Sequence, residues 1–92
     1  MKLRLFATLR GLSGAKEMDV ATPATVGELL SDLSRRWGRN FDGQIFQDRD
    51  RTALVNGVIV LVNGRHIAHL AGMETPLTES DIVDLFPPLA GG

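Results

Sequence analysis

The chain has 92 residues, 43% hydrophobic and 23% charged, with a net charge of −1 and no cysteine. That length allows one domain with a modest core, since so short a chain hides only about 60 to 65% of its unfolded surface, and the near-neutral balance argues against a nucleic-acid binder, which carries a basic excess on one face. The missing cysteine excludes disulfides, thiolate catalysis and thiolate metal ligation, and it leaves no side chain able to hold sulfur as a persulfide, so any sulfur carried must sit at the C-terminus.

No apolar run approaches the roughly 18 residues of a membrane span. Met1-Lys2-Leu3-Arg4-Leu5 alternates charge with apolar residues where a secretory signal would place a basic segment and then an apolar one, so the expected location is the cytoplasm. Arg35, Arg36, Arg39, Arg49 and Arg51 are interleaved with Asp42, Asp48 and Asp50, which reads as a solvated mixed-charge surface.

Residues 2–7 alternate, with Leu3, Leu5 and Ala7 inward, and residues 17–21 repeat the pattern with Met18 and Val20 inward. The turn-rich Gly11-Leu12-Ser13-Gly14 between them predicts a hairpin that puts Leu3 and Leu5 on the face of Met18 and Val20. Thr25-Val26-Gly27-Glu28 is a capping-box signal, and Val26, Leu29, Leu30, Leu33 and Trp37 follow at helical spacing, with Gly38 placed for a left-handed cap. Residues 39–52 are polar apart from Phe41, Ile45 and Phe46 and read as a long loop with a short helical turn near Gln44.

Leu54-Val55-Asn56-Gly57 and Leu61-Val62-Asn63-Gly64 repeat four residues and predict two turns around a strand over residues 58–62, whose unbroken apolarity suits a central strand buried on both sides. Asn63-Gly64 predicts a hairpin into residues 65–70. After the polar turn Thr78-Glu79-Ser80-Asp81, Ile82-Val83-Asp84-Leu85-Phe86 forms a last strand, with one of Leu85 and Phe86 facing in and the other out. Two strands, a helix and three strands give an α+β, beta-grasp (ubiquitin-like) fold: a mixed sheet of about five strands with one main helix across it. The expected division is a domain over residues 1–86 and a flexible tail over 87–92.

Little else in the chain carries chemistry. His66 and His69 are three apart in strand and turn context, which places them on opposite faces as surface histidines, and no metal site is expected. Ser13, Ser31, Ser34 and Ser80 sit in turn or helix-surface settings without a glycine-flanked elbow. Gly11 and Gly14 make no phosphate-binding pattern.

The informative feature is Phe86-Pro87-Pro88-Leu89-Ala90-Gly91-Gly92. Two glycines give a thin tail that enters a narrow partner site with nothing crowding the terminal carboxylate. The prolines favour an extended exit, and from Pro87 to Gly92 such a stalk reaches up to roughly 20 Å at about 3.3 Å per residue. The Gly92 carboxylate is the candidate reactive group, Gly91 permits entry, and Phe86, Pro87, Pro88, Leu89 and Ala90 are candidate partner contacts. A carboxylate is anionic and resonance-stabilised, so a partner must first convert it, most simply to an acyl-adenylate with ATP. The chain therefore reads as a substrate or carrier and not as an enzyme acting alone. The tail by itself leaves open a sulfur carrier, a protein modifier and a non-covalent module.

Phe6-Ala7-Thr8-Leu9-Arg10, Thr25-Val26-Gly27-Glu28-Leu29-Leu30, Val62-Asn63-Gly64 and residues 81–92 together resemble the MoaD/ThiS family of sulfur-carrier proteins, most closely its branch of molybdopterin synthase small subunits. The resemblance implies that Gly92 is adenylated by a ubiquitin-activating-like adenylyltransferase of the MoeB type, using ATP, with no cofactor bound to the chain itself. A sulfur donor enzyme then supplies the sulfur of a thiocarboxylate. The tail inserts into a large synthase subunit of the MoaE type and gives that sulfur to the dithiolene of molybdopterin, with Phe86 and the sheet around it as the docking face. No nucleic-acid or membrane partner is implied. The long segment over residues 39–57 is similar to archaeal-type relatives, some serving molybdenum or tungsten cofactor assembly and some becoming attached to lysines. Sulfur delivery to thiamine or to tRNA thiolation is the other alternative.

Overall fold

A computed structural model of the chain describes residues 1–51 and 53–88. Its elements are β1 (Lys2–Leu5), α1 (Arg10–Ser13), β2 (Glu17–Asp19), α2 (Val26–Trp37), α3 (Arg39–Ile45), β3 (Ile59–Val62), β4 (Arg65–His66) and β5 (Ile82–Phe86). The strands form one mixed sheet in the order β2-β1-β5-β3-β4. β1 and β5 run parallel with Leu3 opposite Val83 and Leu5 opposite Leu85, and the other neighbours are antiparallel.

Period-two alternation sorts the sheet into two faces. Leu3, Leu5, Val60, Val62, Val83 and Leu85 are buried in one cluster with Val26, Leu29, Leu30 and Leu33 of α2. Burying each such side chain favours folding by about 1.5–3 kcal/mol. The expected hairpin forms with Leu3 opposite Met18. Lys2, Arg4, Ile59, Leu61, Ile82, Asp84 and Phe86 take the alternate positions, on the face away from the helix.

α2 begins as its sequence signal predicts. The Thr25 hydroxyl accepts from the Glu28 amide at 3.2 Å, and the Glu28 carboxylate reaches back to accept from the Ala24 amide at 3.1 Å. Gly38 ends the helix with φ 62° and ψ −138°. It has the positive φ that glycine permits, but its ψ is extended, so it is not the expected left-handed cap and instead turns the chain directly into α3.

Several expectations are corrected. β1 stops at Leu5, and Ala7, expected inward, is exposed with φ 54°. The link to β2 is helical over Ala7–Leu9 and Arg10–Ser13 before Gly14 turns it at φ 76°. Residues 39–45 are a helix and not a loop, because Phe41 and Ile45, four apart, both reach the core at 0% exposure. β3 lies next to the edge, and β5 holds the centre. Ile59 accordingly stays 39% exposed, so the apolar run is not buried on both sides. Asn63-Gly64 makes the predicted tight turn with φ 51° and 85°, but β4 lasts only Arg65–His66 before a single turn of tight helix over Ile67–His69. Ser34 is buried and not on the helix surface.

Candidate functional site

β5 controls where the tail begins. It is clamped between β1 and β3, with Val83, Asp84 and Leu85 buried, and it delivers Phe86-Pro87-Pro88 to one end of the sheet. Leu85 faces the core at 0% exposure while Phe86 is half-buried on the open face, the predicted division between the two. Pro87 is buried, and Pro88 lies against Gly57, where φ is 98° and an added Cβ would come 3.5 Å from the proline ring. The candidate residues Leu89, Ala90, Gly91 and Gly92 lie outside the described residues.

Around Phe86 the open face is built from β1 and β3. The Phe6 and Phe86 rings stack 4.1 Å apart at 9°, with Ile59 opposite Phe86 in the strand register. Phe6 is placed there because its amide donates to the Leu85 carbonyl at 3.2 Å, which prolongs the β1–β5 pairing by one residue before the chain bends at Ala7. The Arg10 guanidinium sits over the Phe6 ring, 5.7 Å from its centroid, steadied by its Nε donating to the Leu5 carbonyl at 3.2 Å. Thr8 meets Gln44 of α3 through their side-chain oxygens, which ties this turn to the rest of the domain.

One strand position further in, Arg4 forks onto Asp84 through two bonds of 2.5 and 2.8 Å. Hydrogen bonding to Asp84, and then its charge, raises the Arg4 pKa above its ordinary value, so this arginine stays charged. Asp84 is buried although it belongs to the open face, because Arg4 lies across it. Arg4, Phe6, Arg10 and Glu17 enclose a hollow of about 260 Å³, with Lys16 at its rim. The open face near the tail is therefore an aromatic stack beside fixed guanidinium groups, a surface suited to a partner that presents apolar and acidic groups together.

Phe6, Arg10 and the Arg4–Asp84 pair were not singled out as face residues by sequence reasoning. Their signal is the alternation itself: Lys2, Arg4 and Phe6 share a side of β1, and Asp84 is the one charged residue in an apolar strand. The histidines are also placed differently from the expectation. His66 and His69 do not point to opposite faces; their rings lie 6.4 Å apart, and the His66 Nδ1 is occupied in accepting from the Ala68 amide at 3.0 Å. Among the described residues no three metal-ligating side chains gather, and no helix is long and apolar enough to cross a membrane.

A mixed five-stranded sheet, a helix capped and striped to cover it, and a central last strand that leads to the tail define a ubiquitin-like beta-grasp protein. The chain belongs to the ThiS family of ubiquitin-like sulfur carriers, whose model matches residues 3–92. It is 40% identical to small archaeal modifier protein 3 of Haloferax volcanii, across 100% of this chain and 98% of that protein. The solution structure of small archaeal modifier protein 1 from Methanosarcina acetivorans is 30% identical and superposes with a TM-score of 0.80, covering 99% of this chain and 94% of the other. A Pyrococcus furiosus structure provisionally named molybdopterin converting factor, subunit 1, is 29% identical with a TM-score of 0.70, covering 96% and 95%.

Proposed function

We propose that this chain is a cytoplasmic sulfur carrier whose Gly92 carboxylate is adenylated and then converted to a thiocarboxylate that supplies sulfur for the dithiolene of molybdopterin. The observation that carries the reading is the Gly91-Gly92 ending of a ThiS-family chain whose last strand is anchored at the centre of the sheet. In the first step a Gly92 carboxylate oxygen attacks the α-phosphate of ATP on an adenylyltransferase, and pyrophosphate leaves. In the second, sulfur delivered by a donor enzyme at the hydrosulfide level attacks the acyl carbon, the C–S bond forms as the C–O bond to phosphate breaks, and AMP leaves. The carbonyl carbon becomes reactive only after its oxygen is esterified, so the chain cannot charge itself.

The folded part acts as a handle. Phe86 stacked on Phe6, flanked by Arg10 and Ile59, is the proposed docking face for the activating enzyme and then for the large synthase subunit, while Gly91 lets the end enter a narrow channel. The ordered base at Pro87 and Pro88 fixes the direction of approach. The finer partner types are an adenylyltransferase of the MoeB type and a synthase subunit of the MoaE type.

A second reading is favoured by the 40% identity to a protein named as a small archaeal modifier. The same activated Gly92 would then be captured by a lysine amine and not by sulfur. The two readings separate by product. Intact mass after incubation with ATP, a sulfur donor and the host's activating enzyme should show one oxygen replaced by sulfur, and adding the large synthase subunit with the molybdopterin precursor should return the carboxylate. Isopeptide adducts in host extract without such return support the modifier reading. An unaltered mass with every adenylyltransferase of the host sinks both.

A further inference from the structure

The hollow on the open face carries more positive charge than its surroundings balance. Arg4, Phe6, Arg10 and Glu17 line it, with Lys16 at the rim. Two of these charges are matched by neighbours: Arg4 forks onto Asp84, and the Glu17 carboxylate lies 3.4 Å from the Lys2 ammonium. Arg10 and Lys16 are exposed, and neither has an acidic partner among the described residues. Two positive charges are therefore left over at one small concavity.

The protein itself holds these groups in place. Arg4 gives Nε and Nη2 to Asp84, which leaves its Nη1 outside that pair. Arg10 gives only Nε, to the Leu5 carbonyl at 3.2 Å, and its guanidinium rests over Phe6, so both of its Nη groups are without a partner among the described residues. Lys16 is tied at its backbone, where its carbonyl accepts from the Leu5 amide at 2.8 Å. Donors already ordered in this way bind an anion at little further cost in freedom. Size and charge select the anion. At about 260 Å³ the hollow falls below the roughly 300–1,000 Å³ that encloses a whole drug-sized ligand, so it takes a group and not a complete nucleotide. A planar guanidinium matches phosphate oxygens, and two uncompensated charges favour a dianion over a singly charged carboxylate.

We infer that this hollow is a binding site for a phosphate group, either inorganic phosphate or the phosphate of a small phosphorylated compound, held by Arg10 and Lys16 together with Arg4. Once occupied, it presents negative charge beside the Phe6–Phe86 stack where the free chain presents positive charge. Bound phosphate then opposes the docking of an activating enzyme that brings acidic groups to this face. The binding stands on the hollow alone, whereas its effect on docking rests on the docking face proposed above.

The test titrates the ¹⁵N-labelled full chain with sodium phosphate, AMP and sodium acetate in turn, with sodium chloride holding the ionic strength constant so that screening does not change. Phosphate should give saturable amide shifts at Phe6, Arg10, Lys16 and Glu17, and acetate should bind about tenfold more weakly or less. Arg10→Gln and Lys16→Gln, both at exposed positions, should keep the folded spectrum and each weaken phosphate by about tenfold, the loss of one charge-assisted contact. Arg65→Gln, on the edge strand β4, should leave phosphate binding unchanged. Shifts that acetate reproduces at the same concentrations, that survive both substitutions or that Arg65→Gln also weakens overturn the site. Equal affinity for AMP and phosphate identifies the phosphate group alone as what is held, and AMP about tenfold tighter identifies a phosphorylated compound as its source; both support the site. Affinity for the host's adenylyltransferase should fall about tenfold at saturating phosphate for wild type and clearly less for Lys16→Gln. An unchanged wild-type affinity overturns the effect on docking and leaves the site standing. Failure to dock without phosphate overturns the docking face instead, and the titration still decides the site.

Discussion

Asp84 is the one acidic side chain buried among the described residues, and it lies in the central strand of the sheet. A carboxylate without water is tolerated only where its oxygens are taken up by donors, here the two nitrogens of Arg4. Replacing Arg4 by Met would leave the carboxylate covered but unpartnered. The expected result is a fall in Tm of roughly 5–15 °C at neutral pH, corresponding to about 1–3 kcal/mol for an orphaned acceptor in a domain of this size. The double variant Arg4→Met/Asp84→Leu should recover most of the loss, since neither charge then remains. Thermal unfolding of wild type and the two variants checks this, and a double variant no more stable than Arg4→Met would contradict the buried-charge account.

The elements differ in how openly the sequence announces them, and α2 is the clearest. Its Thr25–Glu28 box and its stripe agree, while Gly38 ends the helix without the expected left-handed cap, and removing the N-terminal cap by Thr25→Ala should cost about 1 kcal/mol, or roughly 4–8 °C in Tm, with the folded spectrum unchanged. α3 was hidden because Phe41 and Ile45 are only two apolar residues in seven, too short a window for periodicity to show, and its helix is held by burial against α2 and the core. The apolar run of β3 gave its strand but not its place, because the same composition serves a strand buried twice over and one that leaves Ile59 on an open face. The turn into β5 was legible as polar, whereas its bonding was not. Asp81 accepts from the Asn63 side-chain nitrogen and from the Thr78 amide, each at 2.8 Å, while the Asn63 side-chain Oδ1 accepts from the Ile82 amide at 2.9 Å. These bonds, that from Asn63 foremost, hold the Asp81 pKa below its ordinary 3.8. A depressed carboxylate stabilises the fold above its unfolded value and ceases to do so as pH falls through the lowered one. Wild type should therefore lose Tm between about pH 4 and the folded pKa more steeply than Asp81→Asn, which cannot titrate there. Parallel acid profiles for the two would remove Asp81 from the acid response.

The proposed function assigns the chemistry to Gly92 and the docking to residues up to Pro88, which makes the two testable apart. β5 is held by its pairing with β1 and β3, the Asn63 clamp at its start, the Phe6 stack, and Pro88 against Gly57 at its finish. The family was legible in the sequence through its motifs, whereas the candidate residues Leu89 to Gly92 lie outside the described residues. On the proposed reading, deleting Gly91 and Gly92, or adding a few residues after Gly92, should leave Tm within about 1 °C of wild type. Both changes should abolish thiocarboxylate formation, the first by removing the thin entry and the second by converting the carboxylate into an unreactive amide. Binding to the activating enzyme should persist in both, since Phe6, Phe86 and the neighbouring arginines are untouched. Intact mass after charging, paired with thermal unfolding and a binding titration on the same samples, decides it. An extended chain that is still charged while its extension remains in place would mean that the reactive group is not the terminal carboxylate of Gly92.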